Sequence, residues 1–71
     1  MKTITLENSL HDIDSIVTWC YLNLGNGARF GSIYDVDQYP DYKWGYVMYF
    51  ISTDFIFRFE EDYIKFMLTW C

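Results

Sequence analysis

Trp44-Gly45-Tyr46-Val47-Met48-Tyr49-Phe50-Ile51, then Ser52-Thr53-Asp54, then Phe55-Ile56-Phe57-Arg58-Phe59, is the stretch that decides what fold this chain can adopt. The first run is apolar at nearly every position, the pattern of a central strand covered on both faces or covered on one and sticky on the other. Ser52-Thr53-Asp54 reads as a short hairpin connection. In the second run Phe55, Phe57 and Phe59 alternate with Ile56, Arg58 and Glu60, so one face of that strand is aromatic and the other mixed. A hairpin of aromatic strands needs a layer to cover it, and the flanking sequence supplies helices.

Downstream, Glu60-Glu61-Asp62 places three acids where a helix dipole stabilises them. Tyr63, Phe66, Met67 and Trp70 then recur at helical spacing, with Ile64 and Leu68 widening the face. Upstream, Asp37 to Lys43, which contains Pro40, reads as a loop, and Arg29 to Val36 reads as a strand. Leu10, Ile13, Val17, Cys20, Tyr21 and Leu24 mark an amphipathic helix. Ser9 followed by Asp12 resembles its capping box, and Gly25 suits the left-handed position that ends it near Leu24. Lys2 to Leu6 alternates Thr3 and Thr5 with Ile4 and Leu6, as a short edge strand or an extended lead-in does. The expected fold is a single α+β domain over residues 1–71: a helix, a three-stranded antiparallel meander and a C-terminal helix, with both helices packed on the sheet.

A chain of 71 residues has room for one core, burying roughly 60% of the surface its unfolded form exposes. Aromatic residues make up 23% of it, and each buried ring removes on the order of 150–250 Å² from water, so the core can close without a disulfide or metal staple. Cys20 and Cys71 have neither the density nor the spacing of a disulfide framework and are expected as reduced thiols. Met1 to Leu6 lacks the apolar run of a signal peptide, and Tyr46 to Ile51 is too short to span a bilayer, so a cytoplasmic protein is expected. Ten acidic against five basic side chains give a formal charge of −5, which repels phosphate backbones and favours a basic protein surface as partner.

Catalytic chemistry finds few parts. His11 is the only histidine and falls in a first helical turn, without a nucleophile beside it. No enzyme is expected, and no cofactor. Asp35, Asp37 and Asp41 gather carboxylates in one loop, but Tyr39 and Pro40 stand where a calcium loop needs its third ligand and its glycine, so no metal site is expected and a solvated acidic loop is. Gly25, Gly27 and Gly31 follow a helix with the wrong spacing for a phosphate-binding loop and read as turn glycines. Trp44 to Tyr49 resembles the end of the first RNP strand of RRM domains, which stack bases on aromatic rings. Tyr42 and Lys43 depart from that motif, and the charge opposes direct nucleic-acid binding.

The strand-to-helix stretch Phe55 to Trp70, a Phe-rich strand running into acids and then a helix bearing Phe and Trp, resembles the C-terminal ends of small proteins of tailed bacteriophages. That resemblance implies a phage-encoded inhibitor of a host or anti-phage defence protein in the bacterial cytoplasm, of the anti-CRISPR or anti-restriction type, acting by occlusion. A DNA-mimicking form would set Asp35, Asp37, Asp41 and Asp54, with Glu60, Glu61 and Asp62, in a surface row. The expected partner-binding residues are Asp35, Asp37, Tyr39, Asp41, Tyr42 and Trp44. The alternative is a self-assembling, homodimeric phage component, because two wide apolar helix faces exceed what one short chain covers.

Overall fold

The computed structural model describes residues 1–71 and contains four strands and two α-helices: β1 (Lys2–Glu7), α1 (Ile13–Leu24), β2 (Gly27–Arg29), β3 (Trp44–Met48), β4 (Ser52–Phe57) and α2 (Glu60–Trp70). A 3-10 helix, Ile33–Gln38, lies between β2 and β3. The strands form one sheet in the order β1-β4-β3-β2. β4 pairs antiparallel with both β1 and β3, whereas β2 pairs parallel with β3. The fold is α+β as the hydrophobic periodicity requires, but the sheet is mixed and four-stranded rather than a three-stranded meander. No helix is long and apolar enough to cross a membrane.

The largest departure is the segment Arg29 to Val36, expected as a strand. Only Gly27–Arg29 is extended, and the chain then coils. Ser32 starts the coil with a reciprocal cap: its hydroxyl accepts from the Tyr34 N–H at 3.2 Å while the Asp35 carboxylate accepts from the Ser32 N–H at 3.1 Å. Ile33 and Val36, three residues apart, share one side of the 3-10 helix, and Phe30 lies just ahead of its Ser32 cap. Phe30 and Val36 pack with Val47 and Ile56, flanked by Ala28, Ile33 and Tyr42, and so cover one face of the sheet. α1 and α2 cover the other, where Leu6, Ile16, Cys20, Trp44, Phe55, Phe57 and Phe66 are buried in the main core. β3 is covered on both faces, the first of the two arrangements that its apolar run allowed.

Three boundaries also move. α1 begins at an Asp12 cap, not at Ser9, because Asp12 accepts both the Ser15 hydroxyl (2.7 Å) and the Ser15 N–H (3.3 Å). Those bonds hold the Asp12 carboxyl below its ordinary range, and Leu10 is left exposed outside the helix. The β3–β4 turn is made by Tyr49, Phe50 and Ile51 instead of Ser52-Thr53-Asp54. Asn8 fixes it: its N–H donates to the Ile51 carbonyl, its side-chain amide to the Tyr49 carbonyl, and its Oδ1 accepts from the hydroxyl of fully buried Thr53. Phe59 is not a strand residue but the exposed cap position of α2. On α2 only Phe66 is buried; Tyr63 and Trp70 are partly so, and Met67 is exposed.

Two glycines admit the rings that join the layers. A Cβ on Gly27 would fall on the Trp44 indole, and one on Gly45 would fall on the Phe30 ring. Gly27 and Trp44 are direct partners in the parallel pairing, and the Trp44 indole N–H donates to the Gly25 carbonyl at 3.0 Å. From Trp44 the rings continue through Tyr46 and Phe55 to Phe66 with successive centroids 6.1, 6.0 and 5.1 Å apart, distances at which aromatic pairs attract. Gly25 ends α1 after Leu24 with φ +91° and ψ −140°, a positive-φ conformation open to glycine but not the left-handed helical one expected there.

Overpacking of this kind costs about 1–3 kcal/mol. Gly27→Ala is therefore expected to lower the free energy of urea unfolding by that amount, while Gly31→Ala, whose added Cβ meets nothing closer than an Asp35 oxygen at 3.5 Å, changes it far less.

Candidate functional site

The 3-10 helix and the loop after it have few backbone hydrogen bonds of their own, and one side chain from β4's end supplies what they lack. The Arg58 guanidinium donates to the carbonyls of Val36 (2.9 Å), Tyr39 (3.3 Å) and Tyr42 (2.9 Å). The Arg58 N–H donates to the Lys43 carbonyl at 3.0 Å, and the Lys43 N–H to the Asn26 carbonyl at 2.8 Å. A guanidinium suits this position because its planar fork serves several acceptors at once. The loop is thereby fixed to the sheet at both ends and along its length.

Between this loop and β2 lies a groove of about 290 Å³, lined by Ala28, Arg29, Phe30, Gly31, Asp35, Tyr39 and Tyr42. Its aromatic wall is one packed unit: Tyr39 stacks on Phe30 with centroids 5.6 Å apart, and Tyr42 meets Phe30 edge-on at 5.9 Å. Arg29 and Asp35 give the mouth one charge of each sign. The Asp35 carboxylate is partly committed to the Ser32 N–H. Asp37, Tyr39 and Asp41 are exposed, and Tyr34 beside them is 76% exposed.

Of the six residues expected from the sequence, Asp35, Tyr39 and Tyr42 come together at this groove, and Asp37 and Asp41 stand exposed on the same segment. Trp44 does not belong with them. Its indole is fully buried among α1 and the sheet on the opposite face, because alternation along β3 turns Trp44 away from the 3-10 helix. Sequence reasoning missed Phe30, Arg29 and Arg58. Arg58 had a visible signal, a lone cation between two phenylalanines in a strand, beside a loop whose carbonyls had no assigned donors.

The acids expected as a DNA-mimicking row have local bonds or positions that explain several of them. Asp35 completes a helix cap, Asp54 accepts from the Thr5 hydroxyl, and Glu60, Glu61 and Asp62 form the first turn of α2. Burial, reinforced by Glu61, pushes the Asp62 carboxyl up. A second, more open concavity of about 390 Å³ is lined by Asn8, His11, Asp12, Ile13, Asp14 and Met48; there Asp12 is engaged as the α1 cap. No three His, Cys, Asp or Glu side chains form a group able to hold a metal ion. Cys20 and Cys71 are free thiols, the first buried and the second exposed. Compared with known protein families, with curated proteins and with solved structures, the chain finds no match.

Two outcomes follow from this chemistry. Replacing Arg58 by Gln leaves backbone carbonyls without their charged donor, and hydrogen bonds of that kind contribute roughly 1.5–3 kcal/mol; urea unfolding is expected to show a loss of that size, only partly restored by Arg58→Lys. Burial pushes the Cys20 thiol up from 9.0 to about 12, so as pH rises the unfolded chain releases that proton first. Cys20 therefore leaves stability unchanged below about pH 9 and lowers it progressively between about pH 9 and 12. Cys20→Ala is expected to flatten that decline in alkaline denaturation curves.

Proposed function

We propose that this chain is a small, non-catalytic binding protein that occludes a basic, nucleic-acid-handling surface of a protein partner, as a phage-encoded inhibitor of a host or anti-phage protein would. The observation that carries the reading is the fixed loop: Arg58 holds residues 36–42 in one shape, with Tyr39 and Tyr42 at the wall of a groove and Asp37 and Asp41 exposed on the same segment. A loop already ordered loses less entropy on binding. Tyrosines contribute large contact areas with few rotatable bonds, and such rings are enriched among the residues that dominate interface energy. The net charge of −5 steers the approach of a basic partner.

The non-catalytic reading is supported by the single histidine and by the protonated, buried state of Cys20. Trp44 has no part in it. Tyr34 joins the proposed surface on account of its exposure beside the acidic segment.

The test is affinity capture from a bacterial lysate, followed by titration of the captured protein against wild type and variants. Truncation of a central aromatic anchor costs about 2 kcal/mol, roughly thirtyfold in Kd, so Tyr39→Ala is expected to weaken binding by that factor. Asp37→Asn with Asp41→Asn is expected to slow association and to reduce its dependence on salt. Binding that ignores all three substitutions would place the interface elsewhere.

A further inference from the structure

The two edges of the sheet are treated differently. β2 is three residues long and runs at once into the Ser32 turn, which blunts it. β1 is six residues long, with Thr3, Ile4, Thr5 and Leu6 uncharged at its centre and neither proline nor bulge to obstruct it. Edge strands are ordinarily protected by such obstructions. Asn8 donates its N–H to the Ile51 carbonyl across β4, so alternation along an antiparallel ladder turns the backbone groups of Leu6, Ile4 and Lys2 toward β4 and those of Glu7, Thr5 and Thr3 outward. The outer edge therefore presents a regular row of N–H and C=O groups; among them only the Glu7 carbonyl is engaged, by the Leu10 N–H.

We infer that β1 is a self-pairing edge, and that two copies of this chain join antiparallel along it into a continuous eight-stranded sheet. Charge selects this occupant and its direction. Antiparallel pairing brings the Lys2 end of one strand to the Glu7 end of the other, whereas parallel pairing stacks like on like. Geometry selects it again. A two-fold axis normal to the sheet keeps both helix layers on one side, and α2 packs evenly on β1 and β4. With strands about 4.8 Å apart, a helix centred over the β1–β4 pair lies about 5 Å from that axis. The two copies of α2 then run about 10 Å apart, within the range of packed helices. Lys2 sits 5.8 Å from the Tyr63 ring centre, so the Tyr63 side of α2 borders this edge. Met67 follows one turn later on that side and is exposed in one copy, whereas Ile64 and Leu68, two residues either side of buried Phe66, face away from the sheet. One operation thus pairs the open edge and covers the Met67 side of α2, which an isolated peptide strand would leave bare. This surface lies at the other side of the sheet from the β2 groove, so its test is independent of the binding reading.

The experiment uses the full chain. Sedimentation equilibrium is expected to show a mass that doubles with concentration, and amide hydrogen exchange at Thr3, Thr5 and Glu7 is expected to slow at least about tenfold across the same range. Proline at an outward N–H removes an intermolecular bond while sparing the ladder to β4, so Thr3→Pro is expected to weaken the dimer about a hundredfold or more. Met67→Glu, at a position 38% exposed, is expected to weaken it about tenfold. A chain that stays monomeric to about 1 mM with fast exchange at those amides, as it would if β1 served only a different partner's strand, overturns the inference. So does a dimer whose affinity is unchanged in both variants. If Thr3→Pro fails to fold, the concentration dependence of wild-type exchange decides.

Discussion

The approach of two aromatic rings to two glycines holds this structure in register. Trp44 lies over Gly27 on one face of the sheet and Phe30 over Gly45 on the other, so β2 and β3 are clamped from both sides although they share only three paired positions. Parallel pairs this short have little ladder energy, and the pairing depends on what packs across it. On the α1 side the indole N–H reaches the carbonyl that ends the helix, tying α1 to the sheet. On the other side Phe30, just ahead of the Ser32 cap, provides the ring on which Tyr39 and Tyr42 rest. The groove is thus a consequence of the clamp.

How much of this was legible depended on whether the deciding interaction was local. The stop at Gly25, the start of α2 at Glu60 and the apolar strand β3 follow from neighbours in sequence. Ile33 and Val36 were read at the wrong period, because a short helical spacing after a glycine and a serine is easily absorbed into a strand when the reciprocal Ser32–Asp35 cap is overlooked. Ser52-Thr53-Asp54 has good turn chemistry, but Asn8, 45 residues from Thr53 in sequence, supplies the acceptor that draws Thr53 into the interior. No local rule contains that bond. Trp44 was misplaced for a similar reason: burial of an indole opposite a glycine is a relation between two strands, not a property of either.

The acidic composition also divides once the fold is known. Asp12 and Asp35 terminate helices, and Asp54 is joined to Thr5 across two strands. These carboxylates serve the architecture, whereas Asp37 and Asp41 remain exposed on a segment whose shape Arg58 fixes. A charge total overstates what is available to a partner, and hydrogen-bond assignments identify the remainder. Arg58 is the converse case, a cation hidden from composition because its work is to satisfy backbone carbonyls.

The pairing of β1 with β4 sets Lys2 opposite Phe57, far apart in the sequence. During synthesis, which proceeds at roughly 5–20 residues per second, β1 emerges seconds before the strand it must join, and the sheet cannot close until β4 has left the ribosome. Contacts so distant in sequence slow folding. The nascent chain spends that interval with Ile4 and Leu6 uncovered.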